Sequence, residues 1–297
     1  MTTHKTGEYV LITAARNEAA FIAQTIESVC MQTVRPSKWV IVSDGSTDET
    51  DEIVKRAAGK HGFIDFQRRL PGEAEANFAS QVFAQMQGYL RLQGLSYKYI
   101  GFLDADITFE PFYYEEVMRW FERNPRLGIS GGFIHENIGG SFKSRPTNRI
   151  GSVAGGIQLF RRECYEAIGG IKPLKVGGMD WVAMIEAGLA GWDVRAFPEL
   201  VVRHHKPGFK ARGFAKECIR QGIMDYVVGS HPLFEILKCL RRIKVRPFCI
   251  GSILRMYGYA GSWLRREQRA MSPDAIAFLR SEQLCRIKKF YMSKNNS

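Results

Sequence analysis

The sequence predicts an α/β protein: a doubly wound sheet followed by an α-helical extension. Three observations predict it. Short apolar runs of strand length alternate with helix-period segments from Tyr9 to Leu103. Two of those runs end in an aspartate, at the strand ends where open α/β sheets bind ligands. From Phe209 onward strand signals cease, and apolar residues recur at helical spacing only.

The first strand is Tyr9 to Ala14, a continuous apolar run. Arg16-Asn17-Glu18 turns the chain, and Phe21, Ile22, Ile26, Val29 and Cys30 carry a helix to about Gln32. Pro36 breaks the chain before a second strand, Trp39 to Val42. Ser46-Thr47-Asp48-Glu49 fits a capping box and predicts a helix opening there and running through Ile53 and Val54. Gly45 permits the tight turn before it. Ile64 to Phe66 is a weak third strand, Glu75 to Gly94 a long helix, and Ile100 to Leu103 the fourth strand. Such alternation gives parallel strands. Beyond Pro111 the pattern predicts a helix over Phe112 to Phe121, a strand from Leu127, a short strand over Ile157 to Phe160 and a short helix over Arg162 to Ile168. A helix from Met179 closes between Gly188 and Gly191, and Val194 to Phe197 and Leu200 to Arg203 read as two more strands. The extension reads as helices over about 210–229, 233–243, 248–266 and 273–290.

The chemistry-bearing residues gather at the strand ends. Asp104 and Asp106 follow the fourth strand, and alternation points them the same way. Two adjacent carboxylates repel unless a cation lies between them. Their hard oxygens suit Mg²⁺ or Mn²⁺, which usually take one or two carboxylates plus substrate phosphates. Asp44 ends the second strand, in the same crevice. Asp180 opens a helix, where capping and the dipole favour a carboxylate. His204 and His205 end the last predicted strand. Gly139-Gly140, Gly155-Gly156, Gly169-Gly170 and Gly177-Gly178 make the middle of the chain glycine-rich, which lets backbone approach a ligand.

The formal charge of +12 over 297 residues is unevenly placed. Residues 201–297 hold 20 Lys/Arg against 6 Asp/Glu, whereas the first 200 residues hold 22 against 24. An anionic partner is therefore expected at the last third, either nucleic acid or membrane. There Leu237, Leu240, Ile243, Phe248, Ile250, Ile253, Leu254 and Tyr257 alternate with Lys238, Arg241, Arg242, Lys244, Arg246 and Arg255. That mixture fits a helix lying in the interface of an anionic bilayer. No run reaches the length of a spanning helix, and Phe248 to Leu264 is interrupted by Arg255. Six cysteines without a C-x-x-C pair read as reduced, buried thiols, and Met1 to Lys5 leads into no apolar h-region.

Taken together, Ala14-Ala15-Arg16-Asn17-Glu18, Ser43-Asp44-Gly45-Ser46, Asp104-Ala105-Asp106, Gly155-Gly156, Met179-Asp180-Trp181 and Val202-Arg203-His204-His205 form an ordered set. It resembles the family 2 glycosyltransferases, the inverting group on the GT-A fold, over about residues 8–206. The resemblance implies a mixed, doubly wound sheet and transfer of a sugar from a nucleotide-diphospho donor, most often UDP-linked, to an acceptor hydroxyl. It implies that Ala14, Arg16 and Glu18 line the nucleotide base, with Ala14 standing where the family usually has proline. Asp44 would hydrogen-bond the base, and Gly155-Gly156 would let backbone approach the donor sugar. Asp104 and Asp106 match the ribose- and metal-facing pair, and His204 or His205 a further metal or diphosphate contact. Asp180 matches the proposed general base, although Met179 replaces the glutamate that usually precedes it.

The expected organisation is a catalytic domain over 1–206 and a basic helical extension over 207–297 resembling the tails of bacterial polysaccharide-synthesis members. The expected location is cytoplasmic, peripheral on the inner face of the cell membrane, with a sugar or lipid-linked sugar as acceptor. Two rival classes stand beside this reading. A nucleotidyltransferase on a similar sheet would want a glycine-rich phosphate loop after the first strand, and Ala14 to Glu18 lacks the glycines. A nucleic-acid-binding protein would use the basic third, yet that third shows no zinc spacing, RNP-like motif or DNA-reading helix, which argues against nucleic acid.

Overall fold

The computed structural model describes residues 5–70, 77–206, 213–243 and 248–295. The chain divides into two units, Met1–Lys175 with Met179–Pro207, and Val176–Gly178 with Gly208–Ser297.

In the first unit, β1 (Lys5–Thr6) and β3 (Val34–Arg35) form a small parallel pair. The main sheet holds β2 (Tyr9–Ala15), β4 (Lys38–Asp44), β5 (Ile64–Arg69), β6 (Tyr99–Phe102), β7 (Ile107–Phe109), β8 (Leu127–Ile138), β10 (Leu159–Arg161) and β11 (Asp193–His204). Their order is β5-β4-β2-β6-β10-β8-β11-β7, with β9 (Ser141–Ser144) paired to β8. The apolar runs read from the sequence are the parallel part, β5-β4-β2-β6. β10 runs antiparallel to both β6 and β8, so the sheet is mixed. Helices α1 (Ile22–Cys30), α2 (Thr50–Lys60), α3 (Ala79–Leu90), α4 (Tyr113–Arg123), α5 (Arg162–Ala167) and α6 (Met179–Leu189) accompany it. This is the GT-A fold.

β2 and β4 are buried nearly throughout, as continuous apolar runs must be. Each large side chain buried there contributes about 1.5–3 kcal/mol. The polar atoms that come with them are satisfied: Trp39 Nε1 donates to Thr13 Oγ1 at 3.0 Å, and the Tyr9 hydroxyl to the Val34 carbonyl at 2.9 Å.

β1, β3, β7 and β9 have no counterpart in the sequence expectation, and three other elements differ from it. The capping box at Ser46 does not form, and α2 begins at Thr50. Ser46 is taken instead by Ser43 and by the Asn17 N–H, while Asp48 accepts from the Thr50 N–H at 3.0 Å. The two strands expected around Pro198 are one strand, β11, whose register against β8 shifts between Phe197 and Val201. Pro198 has no N–H to donate to a ladder, so an irregularity there costs little. The expected helix start at Glu75 lies outside the described residues, and α3 runs from Ala79.

The second unit is helical: α7 (Phe214–Val228), α8 (Pro232–Arg242), α9 (Ile250–Leu264) and α10 (Pro273–Asn295). The expected start of α7 near residue 210, and Lys244 and Arg246, lie outside the described residues. α7 and α9 meet backbone to backbone. A Cβ on Gly222 would stand 1.9 Å from the Arg255 carbonyl oxygen, and one on Gly258 2.2 Å from that of Ile219. Arg255 and Lys238, expected on the outer face, point inward. Arg255 Nε donates to Glu235 at 2.7 Å and a terminal nitrogen pairs with Asp225, while Lys238 lies 3.0 Å from Asp225 and 2.7 Å from Glu235. The reason is charge: Asp225 and Glu235 are fully enclosed, and a buried carboxylate needs a cation. All six cysteines are free; Cys249 and Cys285 are exposed, against the expectation of buried thiols. Among the described residues no helix is long and apolar enough to cross a membrane.

The helix contact yields a paired prediction. Gly222→Ala should destabilise by about 2 kcal/mol or more, because backbone atoms must move to admit the methyl group. Gly59→Ala, in α2 with open space around it, should stabilise by up to about 1 kcal/mol. Urea denaturation of both variants checks the signs, which should be opposite.

Candidate active site

The parallel strands end on one edge, and the turn that follows β6 is built around a glycine. The Asp104 N–H donates to the Gly156 carbonyl at 2.9 Å. A Cβ on Gly156 would sit 2.2 Å from Asp104 Oδ2, so a side chain there would collide with the carboxylate. The neighbouring Gly155 backs Asp180 in the same way, at 3.0 Å from its Cβ. One 3₁₀ turn, Gly155–Ile157, therefore seats both acids. Gln158 ties the turn to α6, donating to the Val153 carbonyl at 3.2 Å and the Asp180 carbonyl at 3.3 Å.

Asp106 is reached from the other side of the sheet. β11 pairs antiparallel with β7, which sets His204 opposite Ile107. His204 Nε2 lies 3.2 Å from Asp106 Oδ2. His205 donates its backbone N–H to the Asp106 carbonyl at 2.9 Å, but its ring turns to Thr108 Oγ1 at 2.8 Å and to the edge of Phe142. Strand alternation thus gives the carboxylates His204 and not His205. His204 Nδ1 is buried with no partner among the described residues.

The turn after β2 is stapled to the turn after β4. Asn17 adopts φ 55°, which asparagine tolerates, and accepts from the Thr47 N–H at 2.8 Å. The Glu18 N–H donates to Thr50 Oγ1 at 2.8 Å. Glu18 Oε1 meets Lys206 Nζ at 2.6 Å, and its Oε2 is buried and unpaired among the described residues. Ala14 is half-buried and Arg16 exposed. Asp44 is buried at the end of β4, where Arg69 and Ser80 each approach one of its oxygens at 2.5 Å. Each oxygen keeps a second acceptor site.

Asp104, Asp106, Asp180, Gly155, Gly156, His204 and Glu18 are thus gathered into one neighbourhood, with Asp44 and Ala14 at the adjoining strand ends. Burial, and then repulsion from Asp106, pushes the Asp104 carboxyl up to about 7. Burial also raises Asp180, with the backbone N–H groups of Trp181 and Gly155 working against it. Burial raises Glu18, partly offset by Lys206. His204 is raised by its hydrogen bond to Asp106, while burial lowers His205. Four residues join that motif reading did not single out: Gln81, whose Nε2 donates to Asp104 Oδ1 at 2.9 Å, Arg69, Ser80 and Lys206. None belongs to a recognisable motif; each is found only once the chain has folded back.

Two carboxylates and an imidazole beside one of them form a donor set suited to a hard divalent ion. Among the described residues no three ligand-type side chains converge on one point, so phosphate or water oxygens would complete such a shell.

The Glycosyl transferase family 2 model matches residues 10–180. Poly-beta-1,6-N-acetyl-D-glucosamine synthase of Staphylococcus epidermidis is 29% identical over 124 residues, 40% of this chain and 26% of that protein. The chain thus spans about a quarter of the length of that curated relative. Among solved structures, the mannosyltransferase PcManGT from Pyrobaculum calidifontis, in complex with GDP-Man and Mn²⁺, superposes with a TM-score of 0.55 at 18% identity, over 99% of this chain and 84% of that one. GalNAc-T7 with UDP, GalNAc and Mn²⁺ superposes with a TM-score of 0.58 at 14% identity, over 88% of this chain and 55% of that one. At these identities the structures share the fold.

The acid cluster predicts a pH dependence for the metal-free protein. Between the ordinary carboxyl value of 3.8 and about 7, folded Asp104 holds a proton that the unfolded chain has released. A raised folded value means a contribution present below this window and lost as pH rises through it. Asp104→Asn removes that loss and retains an acceptor for Gln81. Its stability relative to the parent should therefore increase with pH across the window. Calorimetry with chelator checks it; a constant difference would count against burial and repulsion as the cause.

Proposed function

The chain belongs to glycosyl transferase family 2, and on that premise we propose that it transfers a sugar from a UDP-sugar to an acceptor hydroxyl with inversion. That it is a glycosyltransferase follows from the family. The observation that carries the finer reading is the Gly155-Gly156 turn, which backs Asp104 with one glycine and Asp180 with the other. The turn thereby sets both carboxylates beside one site, where a donor sugar and an acceptor hydroxyl would meet them. The nucleotides named with the two solved structures support a nucleotide-diphospho donor. The likeness to a polysaccharide synthase supports a growing glycan or a lipid-linked sugar as acceptor. On this reading residues 1–206 are the catalytic domain and 207–297 an extension.

The residues then take the following parts. Ala14, Arg16 and Glu18 line the nucleotide base. Asp44, held in place by Arg69 and Ser80, offers its remaining acceptor positions to the base. Asp104 faces the ribose and, with Asp106 and His204, would hold a divalent ion, Mg²⁺ or Mn²⁺. Such an ion, when bound, supplies positive charge to the leaving diphosphate. Asp180 accepts the proton of the acceptor hydroxyl as that oxygen bonds to the anomeric carbon. The bond from that carbon to the diphosphate oxygen breaks on the opposite face, and the diphosphate leaves with the electron pair. Burial makes Asp180 more basic than an ordinary aspartate, which suits a group that acts only as the bond forms.

A thermal-shift screen of nucleoside diphosphates and nucleotide sugars with Mn²⁺ or Mg²⁺ tests the donor class, since saturating ligand raises the melting temperature. UDP-sugars should give the largest shift; a larger shift with another nucleotide would reject the UDP assignment. Asp180→Asn should keep donor binding and lose turnover by a factor of about 10² or more. Near-parental turnover would remove Asp180 as the base. Asp106→Ala should abolish metal-dependent donor binding in calorimetry, and unchanged metal dependence would reject Asp106 as a ligand.

A further inference from the structure

Two consecutive helices of the second unit are inside out. α8 buries Glu235 and Cys239 and turns Leu233, Ile236 and Leu240 to solvent. α9 buries Arg255, Gly258, Tyr259 and Ser262 and exposes Ile253 (64%), Tyr257 (68%), Ala260 and Leu264 (73%). In each helix the exposed residues recur every three or four positions, so each presents a continuous apolar stripe. A soluble helix places its stripe inward and its charges outward. Here Glu235, Lys238 and Arg255 face inward, paired with one another and with Asp225, and a row of apolar residues faces outward.

The surroundings of the stripes are cationic. Arg242 ends α8, and Arg265 and Arg266 follow α9, all exposed. Three of the six acids after residue 200, Glu217, Asp225 and Glu235, are buried against Arg220, Arg255 and Lys238. Among the described residues, the exposed charged side chains of the unit are therefore mostly basic. This charge selects the occupant. A second copy would bring like charge against like. Nucleic acid would match the charge but has no use for outward aliphatic side chains.

We propose that α8 and α9 form a docking face for an anionic phospholipid bilayer, with Ile236, Leu240, Ile253, Tyr257 and Leu264 entering the acyl boundary and the flanking arginines meeting the headgroups. The helices lie on the surface and do not cross it. This inference is independent of the transfer reaction: it rests on the second unit alone and would stand if the donor or base assignments failed.

The test is flotation of the full chain with vesicles of phosphatidylcholine, with and without phosphatidylglycerol, at low and high salt. The chain should float with the phosphatidylglycerol vesicles at low salt and be released in part by high salt, where the screening length falls to about 3 Å at 1 M. The double variant Ile253→Asp with Tyr257→Asp changes exposed positions only, so its circular dichroism should match the parent. Its vesicle partitioning should fall about tenfold or more. Absence of flotation at low salt, or equal flotation of variant and parent, overturns the proposal. So does a parental dimer, detected by sedimentation without vesicles and lost in the double variant, because the stripes would then be an interface between copies.

Discussion

Like charges held close together away from water are the constraint on which this protein turns. Asp106, Glu18 and Asp180 all raise the Asp104 carboxyl where β6 ends, and Asp106 raises Glu18 in turn. The packing that imposes this is unforgiving, since two glycines without side chains are what allow Asp104 and Asp180 their seats. A fold pays for such an arrangement in stability, and sites that break the rules of good packing are where function is expected. The mutual repulsion also gives the site a preference. The divalent ion proposed above would relieve that repulsion.

The helical unit meets the same problem with the opposite solution. Asp225 and Glu235 are more deeply enclosed than Asp104, Asp180 or Glu18, yet cations of the chain itself neutralise them. Arg255 reaches both from the helix that Gly222 and Gly258 let approach. Close backbone contact and buried ion pairing are therefore one device. The glycines bring α9 near enough for its arginine to span two acids. With the unit's internal polarity satisfied in this way, its apolar residues are left for the outside.

Much of this was legible in the sequence, for physical reasons that can be named. Continuous apolar runs such as Tyr9 to Ala14 and Trp39 to Val42 have few places to go but a sheet interior. Asp44 and Asp104, which follow two such runs, were legible as strand-end residues because the chain turns polar where a buried strand stops. What was not legible depended on closure of the chain. Ser46 looked like a helix cap because nothing local says that Asn17 will claim it. Arg255 looked like a surface cation because its partners lie twenty and thirty residues away. Gln81, Arg69, Ser80 and Lys206 carry no signature at all, and their parts follow only from which strand end they face. Val194 to Arg203 divided into two strands on paper because proline interrupts it, whereas the sheet absorbs the proline as a shift in register.

That last strand carries a consequence for how the protein tolerates change. Its last residue, His204, is followed at once by a second histidine, and the alternation of the chain decides that one ring meets Asp106 while the other packs against Thr108 and Phe142. Loss of a single codon between Val201 and His204 would swing the second imidazole into the place of the first. The carboxylates would still find a nitrogen beside them. For the lineage that carries it the tandem histidine is a spare, since a one-residue slip here sets one imidazole where another stood.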